Sequence, residues 1–376
     1  MLRLKVKTMI KHFSEKADIA EIKKAFELMR ENEQVQSVLL FMADSPEINI
    51  SELDLLLKEF SKPIIGGIFP EIIFNNQRMQ TGFYVIGTRN LMKAHLIHLD
   101  QQIDSMQLNL DDFASGVDQS SQTIWIFMDA FAEYKDDAIN AIYDEFGPYK
   151  NYVGGGAGTL KLKSSPCVIS NLGINQHCAV VAAMNCESSV GVAHGWQPIT
   201  EPVKVTSTEG RSIRSFEWNS AFEYYQRIIK DHSSLEITVS NFFEIAKSYP
   251  LGLMKLNSEF IVRDPISTDG VNLNIIDLVP QNEFVQILNG NKESLFKGAA
   301  TARKNAENLK TSDSFFFCID CISRVLFLDE DFEKELKEIS ADDQMLGIVT
   351  IGEIANAGNS MLEIYNKTVV VCNISC

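Results

Sequence analysis

Apolar positions along the chain fall into short continuous runs separated by stretches at helical spacing, and this order recurs three times. The first copy covers Ser37–Thr88: the run SVLLFMA, a helical stretch Ile50–Phe60, the run PIIGGIF, a corner at Pro70 and Glu71, and the run TGFYVIGT. The second covers Thr123–Met184: TIWIFMDA, a helical stretch Asp136–Phe146, NYVGGGAG, then PCVIS and HCAVVAAM. The third covers Ser314–Cys376: SFFFCID, a helical stretch Glu330–Ser340, LGIVTIGE, and a last run Thr368–Ile374. Runs rich in Val, Ile and aromatic residues and bounded by turn residues predict strands. Recurrence of one layout predicts repeated architecture.

Helices between apolar strands predict layered α/β structure. The last two strands of each copy are too close in sequence for a parallel crossover, so they are expected to pair antiparallel. The expected fold is therefore α/β (α+β): mixed, largely antiparallel sheets with helices on their faces, built from strand–helix–strand–strand units. Further helices are predicted over residues 18–31 (ADIAEIKKAFELMR), Trp218–Lys230, Glu236–Ser248 and Lys292–Asn308. The N-terminal MLRLKVKTMIKHF reads as an edge strand, since it lacks the continuous apolar core of a signal peptide. A chain of 376 residues exceeds one ordinary core. Composition shifts near Thr208–Ser215, which predicts domains over 1–210 and 211–376.

The formal net charge of −16 and pI near 4.9 argue against nucleic acid and anionic membrane surfaces, both of which need clustered Lys and Arg. No apolar run approaches a membrane span. Seven cysteines are an odd number. Four of them, Cys167, Cys178, Cys318 and Cys372, lie in or beside apolar strands, as reduced buried thiols of a cytoplasmic protein do.

The candidate chemistry is sparse. Gly154–Gly158 spells GGGAG, but no Lys-Ser/Thr pair or helix follows it, so it is not a phosphate loop. Cys318 and Cys321 form a C-x-x-C with no second pair at metal spacing, which favours structural thiols. His95 and His98 fall on opposite faces of a strand, so they are not joint metal ligands. There is no Ser-His-Asp pattern, nucleotide fingerprint or HExxH helix. Gly352-Glu353 at a strand end places a carboxylate beside accessible backbone. His194-Gly195-Trp196 places an imidazole beside a flexible and an aromatic residue, a group able to ligate iron or hold an anion.

Taken in order, VGGGAG, HCAVVAAM, VGVAHGWQPITEPVKVTSTEG, SYPLGL with FIVRDP, LGIVTIGEI and NKTVVV resemble the FIST family, the F-box and intracellular signal transduction proteins. The resemblance implies a FIST N-terminal domain over 1–210 and a FIST C-terminal domain over 211–376, with no effector module. It implies a sensory protein that binds a small ligand between its domains, amino-acid-like or haem for nitric oxide sensing, and regulates a histidine kinase or cyclic-di-GMP enzyme. Many members carry a His-Asn-His type sequence before the last strand. The matching segment here, Glu363–Thr368, has no His, which leaves His194 as the iron ligand if haem binds, with His98 as runner-up. The expected ligand-binding residues are His194, Gly195, Trp196, Gly155, Arg263, Gly352 and Glu353, with Arg263 pairing a carboxylate. No catalytic residue is assigned. The alternative is an enzyme for a small polar substrate that uses Glu353, Glu71 or His194 as general acid or base.

Overall fold

The computed structural model describes residues 10–100, 103–118, 120–255, 260–309, 314–341, 343–358 and 360–376. The expected N-terminal edge strand is present over Ile10–Ser14, and its first nine residues lie outside the described residues. The three units are there, and each forms the centre of its own six-stranded mixed sheet. In the first, Ser37–Ala43 and Ile64–Phe69 run parallel across the helix Ile50–Lys58, and Phe83–Thr88 lies antiparallel on the far side of Ser37–Ala43. Thr123–Asp129, Asn151–Ala157 and Cys178–Met184 repeat this arrangement, with the helix Lys135–Phe146. Phe315–Cys321, Met345–Thr350 and Val369–Ser375 repeat it again, with the helices Ile322–Leu328 and Phe332–Ser340. A further strand flanks each unit antiparallel: Ile10–Ser14, Met92–His98 and Glu187–Ala193.

The registers superimpose. Leu40 faces Gly66 and Val85, Ile126 faces Gly154 and Val181, and Cys318 faces Gly347 and Val371. The three glycines share one cause. A Cβ on Gly66 would lie 2.7 Å from the carbonyl carbon of Leu40 and closer still to its oxygen; for Gly154 and the Ile126 carbonyl carbon the distance is 2.6 Å. On Gly347 it would lie 3.0 Å from the Cys318 carbonyl carbon. What these glycines admit is the close approach of the neighbouring parallel strand.

One expectation is corrected. The last strand of each unit is antiparallel, but it pairs with the first strand and not with the second. The reason lies in the hairpin between the second and last strands, which leaves its own sheet. Glu71–Phe74 and Gln77–Met79 extend the third unit's sheet at Met345–Thr350. Val168–Ser170 and Gly173–Asn175 extend the first unit's sheet at Ile64–Phe69. Glu353–Ala355 and Glu363–Tyr365 extend the second unit's sheet at Asn151–Ala157. The exchange is cyclic and interlocks the three units. Their inner faces meet on aromatic rings: Phe41 lies 5.4 Å from Phe127 and 5.2 Å from Phe317, and Trp125 lies 5.4 Å from Phe317.

A nine-stranded sheet with the helices Ala221–Ser233 and Phe242–Ala246 is inserted into the third unit, between Glu187–Ala193 and the helix Lys292–Asn305. The helix expected over Glu236–Ser248 shrinks to Phe242–Ala246. Here the Asn241 side chain accepts from Thr238 N at 2.6 Å, a local bond that competes with helix formation. A helix over Ile103–Ser115, not among those expected, buries Met106, Leu110 and Phe113 at helical spacing. Cys167, Cys178, Cys318 and Cys372 are free and buried, as expected, and so is Cys321. Cys186 and Cys376, by contrast, form a disulfide. Among the described residues no helix is long and apolar enough to cross a membrane.

Candidate functional site

The buried polar side chains concentrate at the carboxyl ends of the third unit's parallel strands. One strand ends at Cys321 and its partner at Thr350. The chain then turns at Gly352, whose φ of +96° suits glycine, runs through Glu353 into the exchanged hairpin, and returns through Asn366, Lys367 and Thr368 to the last strand. Asp320, Thr350, Glu353, Lys367 and Thr368 are all 0% exposed. Strand carboxyl ends are where open α/β sheets bind ligands.

Two buried ion networks hold this region. Arg324 pairs bidentately with Glu335, at 3.0 Å from Nε to Oε1, and sits 3.4 Å from Asp320. It also donates to the carbonyls of His194 at 2.6 Å and Leu295 at 3.2 Å. Lys135, from the second unit, pairs with Asp277 of the insertion. Asp277 in turn accepts from Asn366 Nδ2 at 2.6 Å. Buried charges need such partners, because desolvation is otherwise uncompensated.

Glu353 accepts from Thr350 Oγ1 at 2.9 Å and from Thr368 N at 3.3 Å. Burial pushes its carboxyl up to about 8, the direction expected for an acid out of water. Burial, and then the neighbouring Glu353 and Asp264, raise the Cys321 thiol well above its ordinary value. Asp264 accepts from Ser323 Oγ at 2.6 Å and lies 3.2 Å from Lys367 Nζ.

Above this floor is a cavity of about 340 Å³. Asp264, Cys321, Ser323, Gly352 and Asn366 supply its polar wall, and Ile266, Ile276, Ile351 and Leu326 part of its apolar wall. Leu160 and Leu162, at its mouth, are 50% and 53% exposed. Among the described residues, two atoms of its wall residues lack a hydrogen bond: Asp264 Oδ1, which has only its ion pair with Lys367, and Asn366 Oδ1, because Asn366 spends its Nδ2 on Asp277 and on the Tyr365 carbonyl at 3.0 Å. A buried orphan acceptor in a cavity wall is the mark of a missing donor.

The residues expected from the sequence divide between two places. His194, Gly195 and Trp196 line a separate cavity of about 490 Å³ with Phe260, Lys297 and Thr301. Gly352 lines the 340 Å³ cavity, and Glu353 lies behind it. Gly155 is fully packed: it pairs with Glu353, and a Cβ there would meet the Thr350 side chain. Arg263 is 5% exposed, with Nε and Nη1 given to the carbonyls of Leu278 at 3.0 Å and Ile364 at 2.9 Å. It supports the hairpin, and its charge acts on the Asp277 carboxylate. Glu71 is paired with Arg78, and His98 is exposed. Trp196 is 1% exposed and donates to the Lys367 carbonyl, so it is core more than an open wall.

His194 Nδ1 accepts from Trp196 N at 3.0 Å, and burial lowers its pKa to about 4. The neutral ring thus carries its proton on Nε2 and commits its lone pair at Nδ1. Iron requires a free imidazole lone pair, so this arrangement does not fit haem ligation by His194. Among the described residues no group of three or more His, Cys, Asp or Glu is placed to hold a metal ion. Asp264, Cys321, Ser323 and Asn366 were not singled out as ligand-binding from the sequence. The only signal for them was their position at the ends of apolar strands. A model of the FIST N domain matches residues 36–219, and a model of the FIST C domain matches residues 221–356. No curated protein matches the chain.

Proposed function

Because the chain belongs to the FIST family, whose domains are associated with sensory signal transduction, we propose that it senses a small ligand held in the cavity at the third unit's strand ends. The observation that carries this reading is the orphan Asn366 Oδ1 in a largely apolar cavity of about 340 Å³, a size and composition typical of small-ligand sites. The ligand is compact, apolar in body, and presents an N–H donor, as the ammonium of an amino-acid-like molecule does. A haem-based nitric oxide sensor would need a different imidazole arrangement at His194. That ligand state is relayed to a histidine kinase or cyclic-di-GMP enzyme rests on the family alone.

The test is calorimetric titration with N-methylbenzamide, an apolar ring with one N–H. Wild-type protein binds it. A Leu326→Trp variant, altered at a rim position that is 37% exposed, loses binding while keeping its melting temperature. Equal binding by both proteins, or none by the wild type, refutes the placement.

A further inference from the structure

We propose that the cavity of about 490 Å³ beside His194 is a second ligand site, separate from the one above, and that it takes a carboxylate anion with an apolar body. Two donors reach it from different elements. Ser294, Lys297, Gly298 and Thr301 line it from the helix Lys292–Asn305. Their spacing of three and four residues puts them on one helix face. The segment from His194 to Pro198 forms the facing wall and packs closely on that helix. Gly195 has a φ of +85°, and a Cβ there would lie 2.8 Å from the Ser294 carbonyl carbon. A Cβ on Gly298 would lie 2.7 Å from Gly195 N. The two glycines thus admit the approach that brings the imidazole and the Lys297 ammonium to one cavity.

The hydrogen bond from Trp196 N to His194 Nδ1, at 3.0 Å, leaves the proton of the neutral ring on Nε2. The Nε2 atoms of His12 and His95 are buried without a partner; that of His194 is not buried and, among the described residues, has no hydrogen-bond partner either. Arg324 fixes the backbone at this point by donating to the His194 carbonyl at 2.6 Å. Lys297 is exposed and is the one charged side chain in the cavity lining. Among the described residues its ammonium enters no ion pair or hydrogen bond. The chain as a whole has a formal charge of −16, yet this lining holds a cation and no acid. An open cation and a neutral N–H donor suit an anion with two acceptor oxygens, as a carboxylate has. Val192, Pro198 and Phe260 give its body an apolar wall. The 340 Å³ cavity has the opposite character, because Asp264 and Asn366 Oδ1 are acceptors.

The probe is 3-phenylpropanoate, titrated calorimetrically into the full chain near neutral pH, with the uncharged 3-phenylpropanamide for comparison. Wild-type protein should bind the carboxylate at one site and the amide about tenfold or more weakly, the effect of losing a charge-assisted hydrogen bond. Lys297→Met keeps an apolar stem on the exposed helix face and should lose about tenfold in affinity, which Lys297→Arg restores. His194→Asn keeps an acceptor for Trp196 N but removes the Nε2–H, and should lose affinity similarly at an unchanged melting temperature. Should His194→Asn not fold, Lys297→Met carries the test. Leu326→Trp, which fills the other cavity, should bind 3-phenylpropanoate as wild type does. No binding by the wild type, equal binding of carboxylate and amide, full affinity in Lys297→Met or in folded His194→Asn, or loss of binding in Leu326→Trp would each overturn the site. Failure of N-methylbenzamide to bind overturns the other cavity alone.

Discussion

Placing a methyl group on each of the three equivalent glycines tests the repeat at its tightest point. At Gly66, Gly154 and Gly347 the new Cβ would lie 2.7, 2.6 and 3.0 Å from a carbonyl carbon of the neighbouring strand. Backbone, unlike a side-chain tip, cannot swing away, so the parallel pair must part. Overpacking of this kind costs about 3 kcal/mol per site. With an unfolding entropy of roughly 2.1 cal/mol/K per residue, a chain of 376 residues loses about 4 °C in melting temperature for that amount. Gly116→Ala is the control, because its Cβ would crowd the flexible end of Lys93, with Cε at 3.4 Å, while the Phe113 carbonyl oxygen lies at an ordinary contact distance of 3.7 Å. Scanning calorimetry should show Gly66→Ala, Gly154→Ala and Gly347→Ala each melting several degrees below wild type, and Gly116→Ala within about 1 °C of it. If any of the three melts with the wild type, or the control falls equally, the account of these glycines is wrong.

Arg324→Met leaves Glu335 and Asp320 buried without their cation and should destabilise by about 3–5 kcal/mol in urea unfolding. The double variant Arg324→Met/Glu335→Met should recover much of that loss. Stability should also depend on pH through two groups with opposite signs. His194, lowered from 6.5 to about 4, is neutral in the fold; its contribution is present above its ordinary value and lost as pH falls toward 4. Glu353, raised from 4.5 to about 8, favours the protonated fold; its contribution is lost as pH rises toward 8. Urea midpoints should therefore decline from pH 6.5 to 8 in wild type, and Glu353→Gln should flatten that decline. Reducing Cys186–Cys376, whose sequence separation is 190, should remove about 5 kcal/mol on the chain-entropy account, read as a fall in urea midpoint with reductant.

Much of the architecture was legible because local signals agreed. The runs SVLLFMA and TIWIFMDA are buried throughout and SFFFCID is buried except at Ser314 and Phe316, and the Gly-containing runs beside them are their parallel partners. The hairpin exchange was not legible, because a hairpin's partner strand is fixed by tertiary packing and not by its own alternation. The flanking strand and helix at the start of each unit were read as separate features, since the insertion at residues 197–289 hides their third copy. In the candidate site, Glu353 and Gly352 were readable from a Gly-Glu pair at a strand end. Asp264, Cys321 and Asn366 were not, because the turns that gather them lie about 100 residues apart at the extremes. His194 was legible as an imidazole, but its hydrogen bond from Trp196 N, which decides what it can ligate, was not.

The central claim, that the third unit's strand ends hold the ligand, is tested most directly by a crystal structure of the full chain soaked with N-methylbenzamide. The account predicts the amide N–H within about 3 Å of Asn366 Oδ1, a normal hydrogen-bond distance, with the ring against Ile351 and Leu326. A molecule bound only beside His194, or a cavity that stays without one while binding is measured in solution, would contradict it.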